Sequence, residues 1–114
     1  MEEQRYVVNI NCQPYPVKLT LVYDRELFEK KASKLLGYTV QTDDCDGMCA
    51  DKEGKYLVGI FDNKVGTVAH ELNHVCISVF EYIGLPISDS NSEAYCYFFE
   101  HLIKQAIGDI KVST

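Results

Sequence analysis

The sequence predicts a single α+β domain, and three observations carry that prediction. Residues 5–11 and 17–23 read as strands, the second alternating Val17, Leu19, Leu21 and Tyr23 against Lys18, Thr20 and Val22, the period of a half-buried strand. Two later stretches follow the helical period instead, so strands come mostly first and helices last. The chain has 114 residues, 46% hydrophobic and 25% charged, which suits one globular unit.

Taken in order, residues 12–16 hold Pro14 and Pro16 between the first two strands and predict the turn of a β-hairpin. Asp24 is placed to cap a helix with Leu27, Phe28, Ala32, Leu35 and Leu36 on one stripe, and Gly37 suits its end. Residues 38–41 read as a short strand and residues 42–54 as an acidic, turn-rich loop. Residues 56–61 form a further strand, where Gly59 leaves room for backbone or ligand to come close. Asp62 or Asn63 then caps a helix running to Ile83, with Gly84 just past it and Pro86 beyond. Val65, Val68, Ala69, Leu72, Val75, Cys76, Val79 and Ile83 make its apolar face. A last helix over residues 91–107 buries Tyr95, Phe98, Phe99, Leu102, Ile103 and Ala106.

Charge narrows the function classes. Eleven Lys and Arg against 17 Asp and Glu give a net charge of −6. Binding a phosphate backbone takes a basic face, so the balance argues against a nucleic-acid partner. No apolar run reaches the roughly 18 residues of a membrane span. The opening Met-Glu-Glu-Gln-Arg does not read as a secretory leader. Five Cys at irregular spacing then predict reduced thiols in a cytoplasmic protein.

The strongest signal is His70-Glu71-Leu72-Asn73-His74, an HExxH segment on the long helix. Histidines at i and i+4 stand one turn apart, so both imidazoles can reach one metal ion. Both point nearly opposite the apolar face. Glu71 lies about 80° from their mean direction, beside a metal rather than on it. A carboxylate there can act as base toward a metal-bound water, whose pKa zinc lowers to about 7. The plain alternative is a pair of histidines on a helix with no metal role.

Catalytic zinc takes three protein ligands and keeps one position open. Glu93, nineteen residues after His74, is the candidate for the third. Ser90-Asn91-Ser92-Glu93 is also a capping box, in which Glu93 would reach back to the Ser90 amide. Spacing leaves both readings open.

The stretches Thr67-Val68-Ala69-His70-Glu71-Leu72-Asn73-His74, Ile83-Gly84-Leu85-Pro86 and Asn91-Ser92-Glu93-Ala94-Tyr95-Cys96-Tyr97 resemble the small HExxH proteins encoded by phages and prophages. They are similar, more distantly, to the minimal gluzincins and the ImmA/IrrE metallopeptidases. The resemblance spans residues 55–103 and is weak over the N-terminal half. It implies a zincin-like fold, with a hairpin and small sheet packed on the HExxH helix and a C-terminal glutamate helix. In such a fold Val58, Gly59 and Ile60 would border the cleft as the edge strand that pairs with an extended peptide substrate. It further implies that His70, His74 and Glu93 bind Zn2+ and that Glu71 is the general base of a peptidase in the host cytoplasm.

Larger gluzincins carry an Asp four residues after the ligand Glu, where this chain has Tyr97. Glu100 or Glu81 are then candidates to orient a ligand histidine, and Tyr97 and His101 to stabilise an oxyanion. The rival reading is a catalytically silent adaptor descended from such an enzyme, binding a host protein.

Other signals are weaker. Cys45 and Cys49 form one CxxxC pair, too few ligands for a tetrahedral zinc site. Residues 43–47 have the wrong glycine spacing for a calcium loop and no closing Glu, and read better as an acidic surface loop that walls a cleft. Cys76 falls on the apolar face, which suits a core thiol, and Cys96 is placed to border it.

Overall fold

Alternation in the N-terminal strands builds one half of a mixed sheet. The computed structural model describes residues 7–85 and 87–108. Arg5 and Tyr6 of the expected first strand, and Pro86, lie outside them. Strand β1 (Val7–Ile10) pairs antiparallel with β2 (Lys18–Val22), in register from Val7 opposite Val22 to Ile10 opposite Leu19. The proline-rich turn between them contains a cis Gln13–Pro14 bond, and the Tyr15 amide donates to the Cys12 carbonyl at 3.0 Å.

Helix α1 (Arg25–Leu36) follows directly. The Asp24 carboxylate accepts the Leu27 amide at 2.8 Å, and Gly37 closes the helix in the left-handed region. The short strand expected at 38–41 does not form. The segment is tied to α1 instead: the Val40 amide donates to Ser33 Oγ and, just beyond it, the Thr42 amide to Glu29, both at 2.8 Å.

A strand does form where a loop was expected. β3 (Gly47–Lys52) and β4 (Lys55–Ile60) make a hairpin closed by Glu53 and Gly54, with φ of 50° and 81°. Two successive positive φ values match the I′ turn that suits the right-handed twist of paired strands. β4 also pairs parallel with β2, giving the order β1-β2-β4-β3. Val58 and Gly59 are therefore paired on both sides and Ile60 with Gly47 of β3, so β4 is interior and the expected substrate-edge position at this strand is corrected. The edge of the sheet on this side is β3.

The other elements cover the two faces of the sheet. α2 (Val65–Tyr82) and α3 (Ser92–Ile107) lie on one face, over Leu19, Leu21, Tyr56, Val58 and Ile60. α1 lies on the other, where Phe28 and Ala32 meet Val22 and Ala50. Asp62 organises the entry to α2 without being its cap. Its carboxylate accepts the Lys64 amide at 3.1 Å and Thr67 Oγ1 at 2.7 Å, and the helix begins at Val65. That first turn projects past the core, so Val65 is 57% exposed. At the far end the Gly84 amide bonds the Glu81 carbonyl and the Leu85 amide the Phe80 carbonyl, a Schellman pair with Gly84 at φ 77°. Among the described residues no helix is long and apolar enough to cross a membrane.

Candidate metal centre

Three faces of α2 define the site. One turns to α3: the Tyr95 hydroxyl donates to Asn73 Oδ1, and the Phe80 ring meets Tyr95 and Phe98 with centroids 5.6 and 6.2 Å away. Another turns to the β3–β4 hairpin, where Ser78 Oγ and the Tyr56 hydroxyl are 3.0 Å apart and Thr67 and Glu71 press on Gly47. Between those two faces the helical period brings His70 and His74 to the surface. Their ring centroids are 4.8 Å apart with planes at 81°, and both side chains are exposed.

Glu71 differs from its neighbours. It is 7% exposed, and burial pushes its carboxyl above the usual carboxylate range, while the nearby imidazoles act in the opposite sense as smaller effects. Two open hollows of about 450 and 460 Å3 flank it along the β3 edge. His70, Thr67 and Asp46 line one; His74, Asp51 and Glu81 line the other; Glu71 and Gly47 belong to both. The result is a trough between an edge strand and a helix, with a carboxyl at its middle and an imidazole toward each end.

Gly47 makes the trough possible. A Cβ there would stand 2.8 Å from Thr67 Cγ2, 2.9 Å from the Gly59 carbonyl oxygen and 3.1 Å from Glu71 Cγ. Cys49, on β3, is held as a thiol: burial, then the charges of Asp51 and Glu71, pushes it up to about 12. Cys76 is pushed up to about 12 and Cys12 to about 11, both chiefly by burial.

Of the expected site residues, His70, Glu71 and His74 come together, and Glu81 lines the hollow that His74 lines. Glu93 does not join them. It is exposed and lies about 140° to 180° around α3 from the buried Phe98 and Leu102. Among the described residues no three His, Cys, Asp or Glu side chains converge as a metal-binding group. Nor does Glu93 sit in a Ser90 capping box. The helix starts one residue later than that box requires, with Asn91 at the N-cap position, and Ser90 Oγ faces Ser88 Oγ at 3.0 Å.

Tyr97, Glu100 and His101 line neither hollow. Tyr97 is 66% exposed, Glu100 pairs with Lys104 at 2.8 Å, and His101 Nε2 lies 3.2 Å from Gln105 Nε2, beside β1. The reading of residues 43–47 as a cleft wall agrees with Asp46 and Gly47 lining the trough, but sequence reasoning missed the strand that carries it, above all Cys49 and Asp51. Their one local signal was Gly54 at the tip of a two-residue turn.

Fold and site together define a small α+β protein with an HExxH helix laid along the edge of a mixed sheet. No family model, no curated protein and no solved structure matches the chain.

Proposed function

We propose that the protein is a zinc-dependent metallopeptidase in which His70 and His74 hold the ion and Glu71 is the general base. The observation that carries this reading is the buried carboxyl of Glu71 between two exposed imidazoles one turn apart, facing an open sheet edge. Two nitrogen donors and a base suit hydrolytic zinc, and the third donor is where this arrangement and the family pattern part. A zincin-like relation between sheet, HExxH helix and glutamate helix belongs to the same proposal.

Zinc, when bound, supplies a Lewis acid for the water and the scissile carbonyl. The chain's own residues supply the rest. His70 and His74 donate as neutral imidazoles, so zinc affinity falls as pH drops and they protonate. Glu71, with its carboxyl shifted upward, accepts the proton of the attacking water and passes it to the leaving amine. β3 offers unpaired backbone groups along its outer side, to which an extended peptide can add as a strand. Bare Gly47 brings that edge close to Glu71. The adaptor reading draws on one observation, that Glu93 lies away from the histidines.

The test compares wild type with Glu71→Gln, Glu93→Gln and the double variant His70→Ala/His74→Ala, purified without chelator. Zinc content and cleavage of a broad peptide library are measured on each. Wild type should bind zinc and cleave. Glu71→Gln should keep the metal and lose most cleavage, and the double histidine variant should lose both. Equal cleavage by wild type and Glu71→Gln would sink the mechanism. Zinc held by wild type and lost in the double histidine variant, with no cleavage by any of the proteins, would favour the adaptor. Markedly weaker zinc binding in Glu93→Gln would mean that the first turn of α3 rearranges to bring in the third ligand. Unaltered affinity would leave a site of two histidines.

A further inference from the structure

On the face of the sheet opposite the trough, five lysines converge on one hollow. Lys18, Lys52 and Lys55 come from β2, β3 and β4, and Lys31 and Lys34 from the second half of α1. The strand register explains the first three. Lys18 stands opposite Lys55 in the parallel pair and Lys52 opposite Lys55 in the hairpin, so one row of three lysines crosses three strands on the α1 face. Directly opposed residues of an antiparallel pair, as Lys52 and Lys55 are, have Cβ atoms about 4.5–5.5 Å apart, and like charges there are destabilising. Glu53, in the hairpin turn, is the acidic residue in the lining. Among the described residues none of the five lysines takes part in an ion pair.

Edge protection does not account for this cluster. Lysines commonly blunt exposed strand edges, yet β4 is interior and two of the five stand on a helix. The contrast with the rest of the molecule is sharp. Five lysines against Glu53 leave the hollow at +4, and hence the remainder of a chain of net −6 at −10. A long polyanion would be repelled beyond the hollow; a compact one would not. The hollow measures about 500 Å3, inside the roughly 300–1,000 Å3 usual for small-molecule sites. Leu35 and Leu57 give it apolar wall.

We infer that this hollow binds a small organic polyanion, a molecule with two or more phosphate groups on an apolar or ring-bearing body. The phosphates would sit over the Lys18–Lys55–Lys52 row, and the body against Leu35 and Leu57. The site is independent of the metallopeptidase reading, since it lies across the sheet from the histidines.

The test is calorimetric titration of the full chain with ATP, ADP, inorganic tripolyphosphate and a short poly-glutamate peptide, at low ionic strength. Chelator is present throughout, so that a metal at His70 and His74 cannot bind phosphate. Saturable one-to-one binding of the nucleotides is expected, weakened about tenfold or more in Lys18→Gln/Lys55→Gln. Lys30→Gln/Lys64→Gln, two lysines outside the lining, should leave it unchanged. Thermal melting of the ligand-free Lys18→Gln/Lys55→Gln variant checks folding, and its midpoint should hold or rise as opposed charges are removed. No saturable binding of nucleotide, or equal loss in both variants, would overturn the inference. Tripolyphosphate binding as tightly as ATP would overturn the role of the organic body. Binding of poly-glutamate alone would replace the small molecule with an acidic protein segment.

Discussion

A missing side chain sets how closely α2 approaches the sheet edge. The Gly59 carbonyl oxygen, 2.9 Å from where a Gly47 Cβ would lie, belongs to the interior strand and has no room to give. Gly47→Ala should therefore destabilise by about 1–3 kcal/mol through overpacking. Gly66, one turn before His70 on α2, meets nothing within 4 Å. Gly66→Ala should stabilise by about 0.4–1 kcal/mol, by narrowing the unfolded ensemble. Urea denaturation of the two variants checks both signs, and equal midpoints would show that the close contact at Gly47 is slack. Gly59 is bare for a different reason than the sequence implied. The room there is filled by Phe61 and Phe28, whose rings pack edge to face at 5.6 Å, and not by a ligand.

Among elements, α1 is the one that grips a loop. Arg25 donates to the Thr42 carbonyl, to Thr42 Oγ1 at 3.0 Å and to the Cys45 carbonyl at 2.9 Å, with its guanidinium 4.5 Å over the Phe61 ring. Glu29 accepts the Thr42 hydroxyl and amide at 2.8 Å each. Those bonds, the hydroxyl first, together with the charge of Arg25, hold the Glu29 carboxyl below the usual range. A depressed carboxyl binds its proton less readily folded than unfolded. Its stabilising effect is thus complete above the unfolded carboxylate range and disappears as pH falls through the folded value. Glu29→Gln should flatten the acid side of the stability profile, read as urea midpoints down a pH series; a slope identical to wild type would remove Glu29 from the acid response. This clamp also shows where the sequence was legible. α1, α2, α3 and the first two strands have strong local period, and HExxH is a local motif, so all could be read. β3 lacks β-branched residues and is defined by pairing with β4, so Gly54 in the turn is its one local trace. The orientation of Glu93 likewise depends on how α3 packs, which spacing does not encode.

At the scale of the whole molecule, one sheet separates two apolar clusters of unequal size. The larger joins α2 and α3 to the sheet, and the smaller joins α1. Because β2 and β4 contribute to both, the two clusters share the central strands of the sheet, and unfolding should be a single cooperative transition. Urea curves from far-ultraviolet circular dichroism and from tyrosine fluorescence should coincide. Separate midpoints would mean that α1 and its cluster leave first. The parallel contact between β2 and β4 has a kinetic meaning as well. Both antiparallel pairs are close in sequence, whereas the partners Lys18 and Lys55 stand 37 positions apart. Joining them requires closing a long loop before any contact rewards it. The two hairpins can thus form early and independently, and the barrier to folding lies in zipping one against the other. Substitutions along that seam should change the folding rate more than those at either hairpin tip.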